Sequence, residues 1–332
     1  MEHVRVPRRD PDSNDLEGYA ALREGVALVD RQERRIFRLA GKDPVGMLNA
    51  VLTNDVPTDG AIGAYAMLLD PKGRIQTDVR VVKGEDEILA DTEPEGALAA
   101  KEILGRYAPF SRVKLDELFD WGALGLYGPR ARELLGVADL AEHESTRAEI
   151  GGVSILVVGV AVPTGGYDLI GPAGPLGAAR EYLLGAGATP TGRDAREAAR
   201  IAAGVPRFGA DITPENFPGE SESSLGRAVS FGKGCYPGQE TVARMRYRGS
   251  PNKKLYRFEL EPGSIEPPQA GDGILQEGKK AAGQVNVVGW LTSVAPFPVE
   301  GRLYALGYLA RKADLEAPMS AKDAKILAAT RA

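Results

Sequence analysis

The strongest chemical signal in the sequence is a cysteine set among glycines. Cys235, the one cysteine of the chain, lies in the segment Lys-Gly-Cys-Tyr-Pro-Gly-Gln-Glu at residues 233–240. Gly234 and Gly238 permit tight turns because they lack a Cβ atom, so the thiol is expected on a shaped loop. Lys233 brings a positive charge that favours the thiolate, the nucleophilic form of cysteine. The segment predicts a functional thiol, with a small buried hydrophobe as the alternative.

An aspartate in a strand-like segment is the second candidate for chemistry. Residues 74–80 read Arg-Ile-Gln-Thr-Asp-Val-Arg. Because side chains alternate along a strand, Asp78 and Arg80 are expected on one face, toward water or a polar cavity. A carboxylate there can hold or transfer a proton during a reaction. The alternative is a solvated aspartate that pairs with Arg80.

The octapeptide around Cys235 resembles the signature of the YgfZ family. Members of that family are folate-binding proteins implicated in maintaining certain iron–sulfur enzymes, one of which modifies tRNA. Four further stretches resemble landmarks shared by YgfZ and the glycine-cleavage T-protein, an aminomethyltransferase: residues 25–30, 52–56, 204–211 and 289–293. The resemblance covers nearly the whole chain. It implies tetrahydrofolate, or a one-carbon derivative of it, as ligand, and iron–sulfur client or assembly proteins as partners.

The resemblance also assigns site residues. Asp78 is similar in position to a T-protein aspartate that lies beside the reactive nitrogens of the folate, although many YgfZ members lack it. Asp168 stands where the T-protein has a glutamate that contacts the pterin ring, and Tyr167 either stacks on that ring or fills the core. The implied catalytic residues are therefore Cys235 and Asp78. The other implied folate contacts are Arg227, Lys233 and Gln239.

Three functions are compatible with these motifs. The first is a folate-dependent auxiliary protein that supports iron–sulfur enzymes and uses Cys235. The second is an aminomethyltransferase that takes a one-carbon unit from a lipoyl-bearing carrier and uses Asp78. The third is a scaffold that has kept the fold but lost both ligand and catalysis. Folate binding separates the third function from the other two, and whether the chain is an enzyme stays open at this point.

The elements that must position these residues repeat along the chain. A strand at residues 35–39 runs into a glycine turn, and Asp43 is expected to cap a helix whose first residue is Pro44. The same order of strand, glycine turn and helix returns at residues 121–135. After residue 247, short strand-like runs alternate with Gly and Pro clusters, which is typical of a small antiparallel barrel.

This order and the resemblance together predict an α+β fold with three lobes like those of the T-protein. Two related α+β modules are expected at residues 1–118 and 119–247, and the second carries the cysteine loop. A C-terminal antiparallel β-barrel domain is expected at residues 248–332.

Composition narrows the function classes. The net charge of −5 argues against a general nucleic-acid binder, because that mode depends on a basic field. The amino terminus has no apolar core of a signal peptide, and no apolar run reaches the length of a membrane helix, so a cytoplasmic location is expected. A single cysteine excludes a cysteine-built zinc site, and no metal is expected. His143 lies in a polar, loop-like context and receives no role.

Overall fold

A computed structural model gives three lobes. It describes residues 12–84, 87–247, 249–263, 266–277 and 285–332. Two lobes are open sheets, one with five strands and one with six, and the third is a closed barrel of six strands. Helices accompany both open sheets. The predicted α+β class with a C-terminal antiparallel barrel is confirmed.

The five-stranded sheet is antiparallel throughout. The described chain begins with α1 (Ser13–Glu24) and β1 (Ala27–Asp30), and then supplies β2 (Arg35–Gly41), α2 (Pro44–Val51), β3 (Ala64–Leu69), β4 (Ile75–Lys83), β5 (Ile88–Thr92), α3 (Ala97–Tyr107) and β6 (Val113–Glu117). The strand order is β3-β4-β5-β2-β6. Helix α2 begins as predicted, because the Asp43 carboxylate accepts a hydrogen bond from the Gly46 amide at 2.8 Å.

The six-stranded sheet takes β1 from the start of the chain and five later strands. The later elements are β7 (Trp121–Tyr127), α4 (Ala131–Leu135), β8 (Ser145–Ile150), β9 (Val153–Val160), β10 (Gly166–Pro172), α5 (Ala173–Gly185), β11 (Thr189–Thr191) and α6 (Arg193–Ala202). The order is β11-β1-β7-β10-β9-β8, and β1 pairs in parallel with β11. Residues 1–118 therefore contribute to both sheets. The predicted boundaries at residues 118 and 247 stay predictions.

The two sheets pack face to face. Val82 on β4 and Ile170 on β10 share an apolar cluster between the sheets. Because side chains alternate along a strand, Asp78 and Arg80 point to the same side of β4 as Val82, and Asp168 points to the same side of β10 as Ile170. The layer between the sheets is therefore apolar in one part and charged in another.

The barrel is the third lobe. Helices α7 (Glu222–Ala228) and α8 (Gln239–Tyr247) precede its strands, which are β12 (Lys253–Leu260), β13 (Gly273–Glu277), β14 (Val285–Val294), β15 (Leu303–Ala310), β16 (Met319–Ala321) and β17 (Ala324–Arg331). The ring order is β12-β15-β14-β13-β16-β17, and β17 pairs back with β12. Closure leaves none of these six described strands with an unpaired edge.

A buried carboxylate fastens the barrel to the six-stranded lobe. Asp211 accepts a hydrogen bond from Arg200 of α6 at 2.7 Å. Its other oxygen accepts from the hydroxyls of Thr292 and Ser293, on β14 of the barrel, at 2.6 and 2.7 Å. Two of the four landmark stretches, residues 204–211 and 289–293, thus meet through hydrogen bonds to one buried carboxylate.

Candidate functional site

Seven buried polar residues converge between the two sheets. We call them the intersheet charge cluster: Arg31, Arg34, Arg80, Asp91, Glu93, Tyr127 and Asp168. They come from both sheets, and each keeps at most 9% of its surface accessible. Buried charges are costly unless they are paired. The pairing within this cluster therefore decides which groups stay available to a ligand.

Asp91 is fully enclosed by two arginines. Arg34 donates two hydrogen bonds to its carboxylate, at 3.0 and 2.9 Å. Arg80 donates two more, at 3.2 and 2.6 Å. Burial alone would raise the pKa of Asp91, but the two guanidinium groups hold it well below its ordinary value. Asp91 is therefore ionised, and its carboxylate oxygens are already occupied by hydrogen bonds from the two arginines, so they are not available to a ligand.

Asp168 is also committed within the cluster. One carboxylate oxygen accepts from Arg80 at 2.6 Å and from Arg31 at 3.4 Å, and the other accepts from the Tyr127 hydroxyl. The residue has no accessible surface. Burial opposes ionisation, yet the arginines lower the pKa of Asp168 to about 2. The implied pterin contact would require one of these bonds to open, so in this structure Asp168 positions Arg31 and Arg80.

Tyr167 lies on the opposite face of β10 from Asp168. It keeps 4% of its surface and packs in the apolar core of the six-stranded lobe, with Leu124 and Leu176. A tyrosine in that core cannot stack on a ligand held between the sheets. Its position agrees with the second interpretation of the sequence, that Tyr167 fills the core, and is unfavourable for the predicted folate contact.

Asp78 lies beside the cluster, and its hydrogen-bond partner is a tyrosine outside the cluster rather than an arginine. The Tyr65 hydroxyl donates to its carboxylate at 2.7 Å. Burial raises the pKa of Asp78 to about 6, and the nearby Glu93 carboxylate adds to that rise, whereas the Tyr65 bond and Arg34 oppose it. The alternative interpretation of a solvated aspartate paired with Arg80 is wrong, because Arg80 is occupied by Asp91 and Asp168.

Two further side chains pack against the Tyr65 ring next to Asp78. Its ring stacks on His143, with ring centres 6.5 Å apart, and the Arg227 guanidinium lies 5.2 Å from its centre. Arg227 also pairs with Glu142 at 2.5 Å. Burial, aided by Arg80, lowers the pKa of His143 to about 4, so its imidazole is neutral near pH 7. Sequence patterns gave no indication of a role for His143.

Cys235 is exposed on the loop that leads into α8. The loop is held on the turn between β3 and β4: a Cβ added at Gly238, whose φ is +80°, would lie 2.7 Å from both the Asp70 carbonyl oxygen and the Gly73 Cα. The alternative of a buried cysteine is wrong. Gln239, the first residue of α8, is partly buried beside this contact.

Lys233 is directed to the end of α2 rather than left free for the thiol. Its ammonium donates to the backbone carbonyls of Asn49, Leu52 and Asn54, at 2.8, 2.6 and 3.1 Å. Burial lowers the pKa of Lys233 to about 8. The Lys233 ammonium therefore contacts these carbonyls and not the Cys235 thiol, so no contact supports the expected activation of the thiol. Lys233 instead holds the cysteine loop against the end of α2.

The landmark at residues 52–56 connects α7, and through Lys233 the cysteine loop, to the strand of Tyr65. Thr53 donates to the Ala228 carbonyl at 2.6 Å and accepts from the Met67 amide at 2.8 Å. The Asn54 amide donates to the carbonyls of Tyr65 and Arg227, both at 2.9 Å. The exposed thiol and the buried Asp78 site are thus joined through one hydrogen-bonded frame.

Two absences among the described residues bear on the class of site. No group of three or more His, Cys, Asp or Glu side chains in those residues is arranged to hold a metal ion. Within the same part of the chain, no helix is long and apolar enough to cross a membrane.

Known proteins resemble this chain over most of its length. Residues 9–233 match the GCVT N-terminal domain family. An aminomethyltransferase of Herpetosiphon aurantiacus is 28% identical over 87% of this chain and 80% of its own length. The tRNA-modifying protein YgfZ of Hamiltonella defensa is 29% identical over 67% of this chain and 66% of its own.

A solved structure shares the fold. The glycine cleavage system aminomethyltransferase T from Bartonella henselae superposes with a TM-score of 0.75, covers 96% of this chain and 88% of its own length, and is 21% identical. Together with the family match over more than half of the chain, this confirms the T-protein-like fold. The chain belongs to the GCVT N-terminal domain family, in the superfamily that contains the T-protein and YgfZ.

Proposed function

We propose that this chain binds a reduced folate beside Asp78 and acts through Cys235 as an auxiliary protein of the YgfZ type, which supports iron–sulfur enzymes, including those that modify tRNA. The observation that carries the proposal is the exposure of Cys235 on a loop tied to the frame that also holds Tyr65 and Asp78. An exposed thiol is accessible to a second protein, and a buried carboxyl group suits a small molecule.

The groups near Asp78 fit the chemistry of a pterin ring. A tetrahydropterin presents N–H donors and a carbonyl acceptor along one edge, so it needs both acceptors and donors from the protein. Asp78 supplies an acceptor, and the Nε of Arg31 is a buried donor with no partner among the described residues. When bound, a reduced folate supplies the nitrogens that carry a one-carbon unit.

Asp78 is suited to hold and release a proton near neutral pH. Its raised pKa of about 6 lies close to the pH at which a side chain serves best as both acid and base. Tyr65 fixes the carboxylate by donating to Oδ2. This arrangement also supports the second candidate function, folate-dependent aminomethyl transfer, in which Asp78 handles the proton and no step requires a protein thiol.

Calorimetric titration with tetrahydrofolate and its 5-formyl and 5,10-methylene derivatives tests the folate site. We expect saturable binding of at least one of them. No binding of any of the three by the folded protein would contradict the proposal and point to a scaffold that has lost its ligand.

Two variants separate the two functions in cells. Cys235→Ser should abolish support of an iron–sulfur enzyme while leaving the Kd for folate unchanged, because a hydroxyl cannot supply a thiolate. Cys235→Ala should give the same loss, and Asp78→Asn should matter less. Aminomethyl transfer predicts the reverse order, with Asp78→Asn inactive and Cys235→Ser active.

A further inference from the structure

A cavity of about 430 Å³ lies between the end of α8 and the chain that leads into the barrel. Its walls come from Phe217 and Glu220, from the last turn of α8, and from residues 249–252, which precede β12. No member of the intersheet charge cluster lines this cavity, and neither does Cys235. The cavity is therefore separate from the groups on which the proposed function depends.

Glu220 brings a buried carboxylate to this cavity. The residue keeps 6% of its surface accessible. Its Oε2 accepts hydrogen bonds from the Asn216 side-chain amide at 2.8 Å and from the Phe217 backbone amide at 3.4 Å, whereas its Oε1 accepts none from a described residue. Burial raises the pKa of Glu220, and the Asn216 hydrogen bond and the Lys253 charge offset that rise only in part. A buried carboxylate with a free oxygen favours a hydrogen-bond donor, above all a charged one.

Three basic side chains near the cavity are engaged elsewhere. The Lys253 ammonium lies 3.8 Å from Oε2 of Glu220, beyond hydrogen-bond distance, and stands over two aromatic rings of the barrel, 5.0 and 4.7 Å from their centres. The Arg244 guanidinium pairs with Glu240, one turn earlier on α8, at 2.5 Å. The Arg74 guanidinium donates to the backbone carbonyl of residue 215 at 2.7 Å. None of these cations bonds to Oε1 of Glu220, so this oxygen keeps its capacity for a ligand.

The end of α8 adds partial negative charge to the same cavity. Residues 244 and 245, in the last turn of the helix, line the cavity. Pro251 has no N–H, and none of the other described amides at residues 249–252 donates a backbone hydrogen bond to this turn. The last carbonyl groups of a helix carry the negative end of its dipole and favour a cation. The helix end and the carboxylate therefore favour the same kind of group.

The cavity also has apolar walls. Phe217, Met245 and Pro251 line it. Met245 is in contact with the turn that carries Glu220, since a Cβ added at Gly219 would lie 3.5 Å from the Met245 Cβ. The volume falls within the range of small-molecule sites, roughly 300–1,000 Å³, and apolar walls of this kind favour a ligand with an apolar body.

We propose that this cavity binds a small organic amine. The protonated amino group donates to Oε1 of Glu220 and to carbonyl groups at the end of α8, and the apolar body of the amine packs against Phe217 and Met245. Hydrogen bonds between charged groups are the stronger kind, so they fix the end of the ligand that carries the charge. A lysine side chain of another protein offers the same ammonium, but its unbranched stem covers less of the apolar wall.

NMR titration of the full chain with three probes tests this assignment. Phenethylamine and 3-phenylpropionate have similar apolar bodies and opposite charges. We expect phenethylamine to cause saturable shifts of amide signals at residues 217–220, 244–247 and 249–252, and 3-phenylpropionate to bind at least tenfold more weakly. Equal or tighter binding of 3-phenylpropionate would overturn the proposal, because Arg244 and not Glu220 would then decide the sign of the ligand. If Nα-acetyllysine methylamide binds more tightly than phenethylamine, the ligand is a lysine of another protein and not a small molecule.

Glu220→Gln should weaken phenethylamine at least tenfold, because the amide keeps an acceptor for Asn216 but loses the charge. The matched control is Glu215→Gln, which changes an exposed glutamate outside the cavity and should leave the Kd for phenethylamine unchanged. If Glu220→Gln binds phenethylamine as tightly as wild type, the proposal fails. Where this variant does not fold, the comparison of the two charges on the wild-type protein decides. Neither result depends on folate binding, so the proposal stands or falls apart from the proposed function.

Discussion

The intersheet charge cluster and the cysteine loop lie near opposite ends of the β3–β4 hairpin, and they differ in how their polar groups are satisfied. In the cluster, buried arginines and carboxylates neutralise one another, and few atoms are left over. In the loop, backbone contacts and Lys233 fix the chain, and the thiol itself stays exposed. This difference predicts that substitutions in the cluster cost much stability, whereas substitution of Cys235 in the loop costs little.

Asp91→Ala should have the largest effect on stability. It leaves the guanidinium groups of Arg34 and Arg80 buried without their shared carboxylate. Removing one partner of a buried ion pair costs about 3–5 kcal/mol. Urea unfolding measures the loss, provided that the variant folds. A loss below about 1 kcal/mol would mean that water already screens the cluster.

The matched control lies near the cysteine loop. Glu240→Ala removes an exposed pair with Arg244 on one helix, so the free energy of unfolding should change by less than about 0.5 kcal/mol. Equal losses of stability from the two substitutions would contradict the expected difference between the cluster and the loop.

Asp78→Asn should stabilise the protein near pH 7.5 by about 1–3 kcal/mol. Its carboxyl has a pKa of about 6 when folded, above its ordinary value when unfolded. Between about pH 4 and 6 the folded state therefore binds the proton more tightly, and this group's contribution to stability falls as pH rises. Asparagine removes that penalty and can still accept from Tyr65.

Urea unfolding of Asp78→Asn and wild type from about pH 4.5 to 7.5 tests the sign, because the difference between the two should grow with pH. Asp168→Asn serves as the contrast. The pKa of Asp168 is lowered on folding, so its charge stabilises the protein above about pH 4, and the variant should lose stability at neutral pH. A destabilised Asp78→Asn at about pH 7.5 would contradict the burial argument.

The sequence predicted those features of the two regions that depend on patterns of neighbouring residues. Asp78 follows from strand alternation, and Cys235 follows from its glycines and from the family resemblance. Helix α2 was predicted from Asp43 and Pro44, and its cap has the expected geometry. The three-lobed fold was predicted from repeated element order.

The cluster could not be predicted in the same way. Arg31, Arg80 and Asp168 come from different strands of two sheets, and no spacing along the chain indicates that they meet. The family resemblance implied that Asp168 contacts the pterin, and the sequence gave no sign of the arginines that bind it in the structure. Glu93 was missed because it looks like an ordinary surface charge until the sheets are packed together.

Gly238→Ala should have an intermediate effect at the junction of the two regions. A side chain there adopts the left-handed conformation, at roughly 1–2 kcal/mol, and meets the backbone of the β3–β4 turn. Gly234→Ala is the control, since nothing lies within 4 Å of its added Cβ. Hydrogen exchange should increase at residues 70–73 and 233–240 in the first variant alone. Equal exchange in both would show that the turn does not hold the loop.

Cys235→Ser should have the smallest effect on stability. The thiol is exposed, so the exchange of sulfur for oxygen removes no packed contact, and the free energy of unfolding should stay within about 0.5 kcal/mol of wild type. The folded wild-type protein should also react with iodoacetamide without prior unfolding, because the sulfur is accessible. A stability loss above about 1 kcal/mol, or a thiol protected until urea unfolds the protein, would mean that Cys235 packs like the cluster residues. The loop would then be a structural element, and aminomethyl transfer at Asp78 would become the better account of the site.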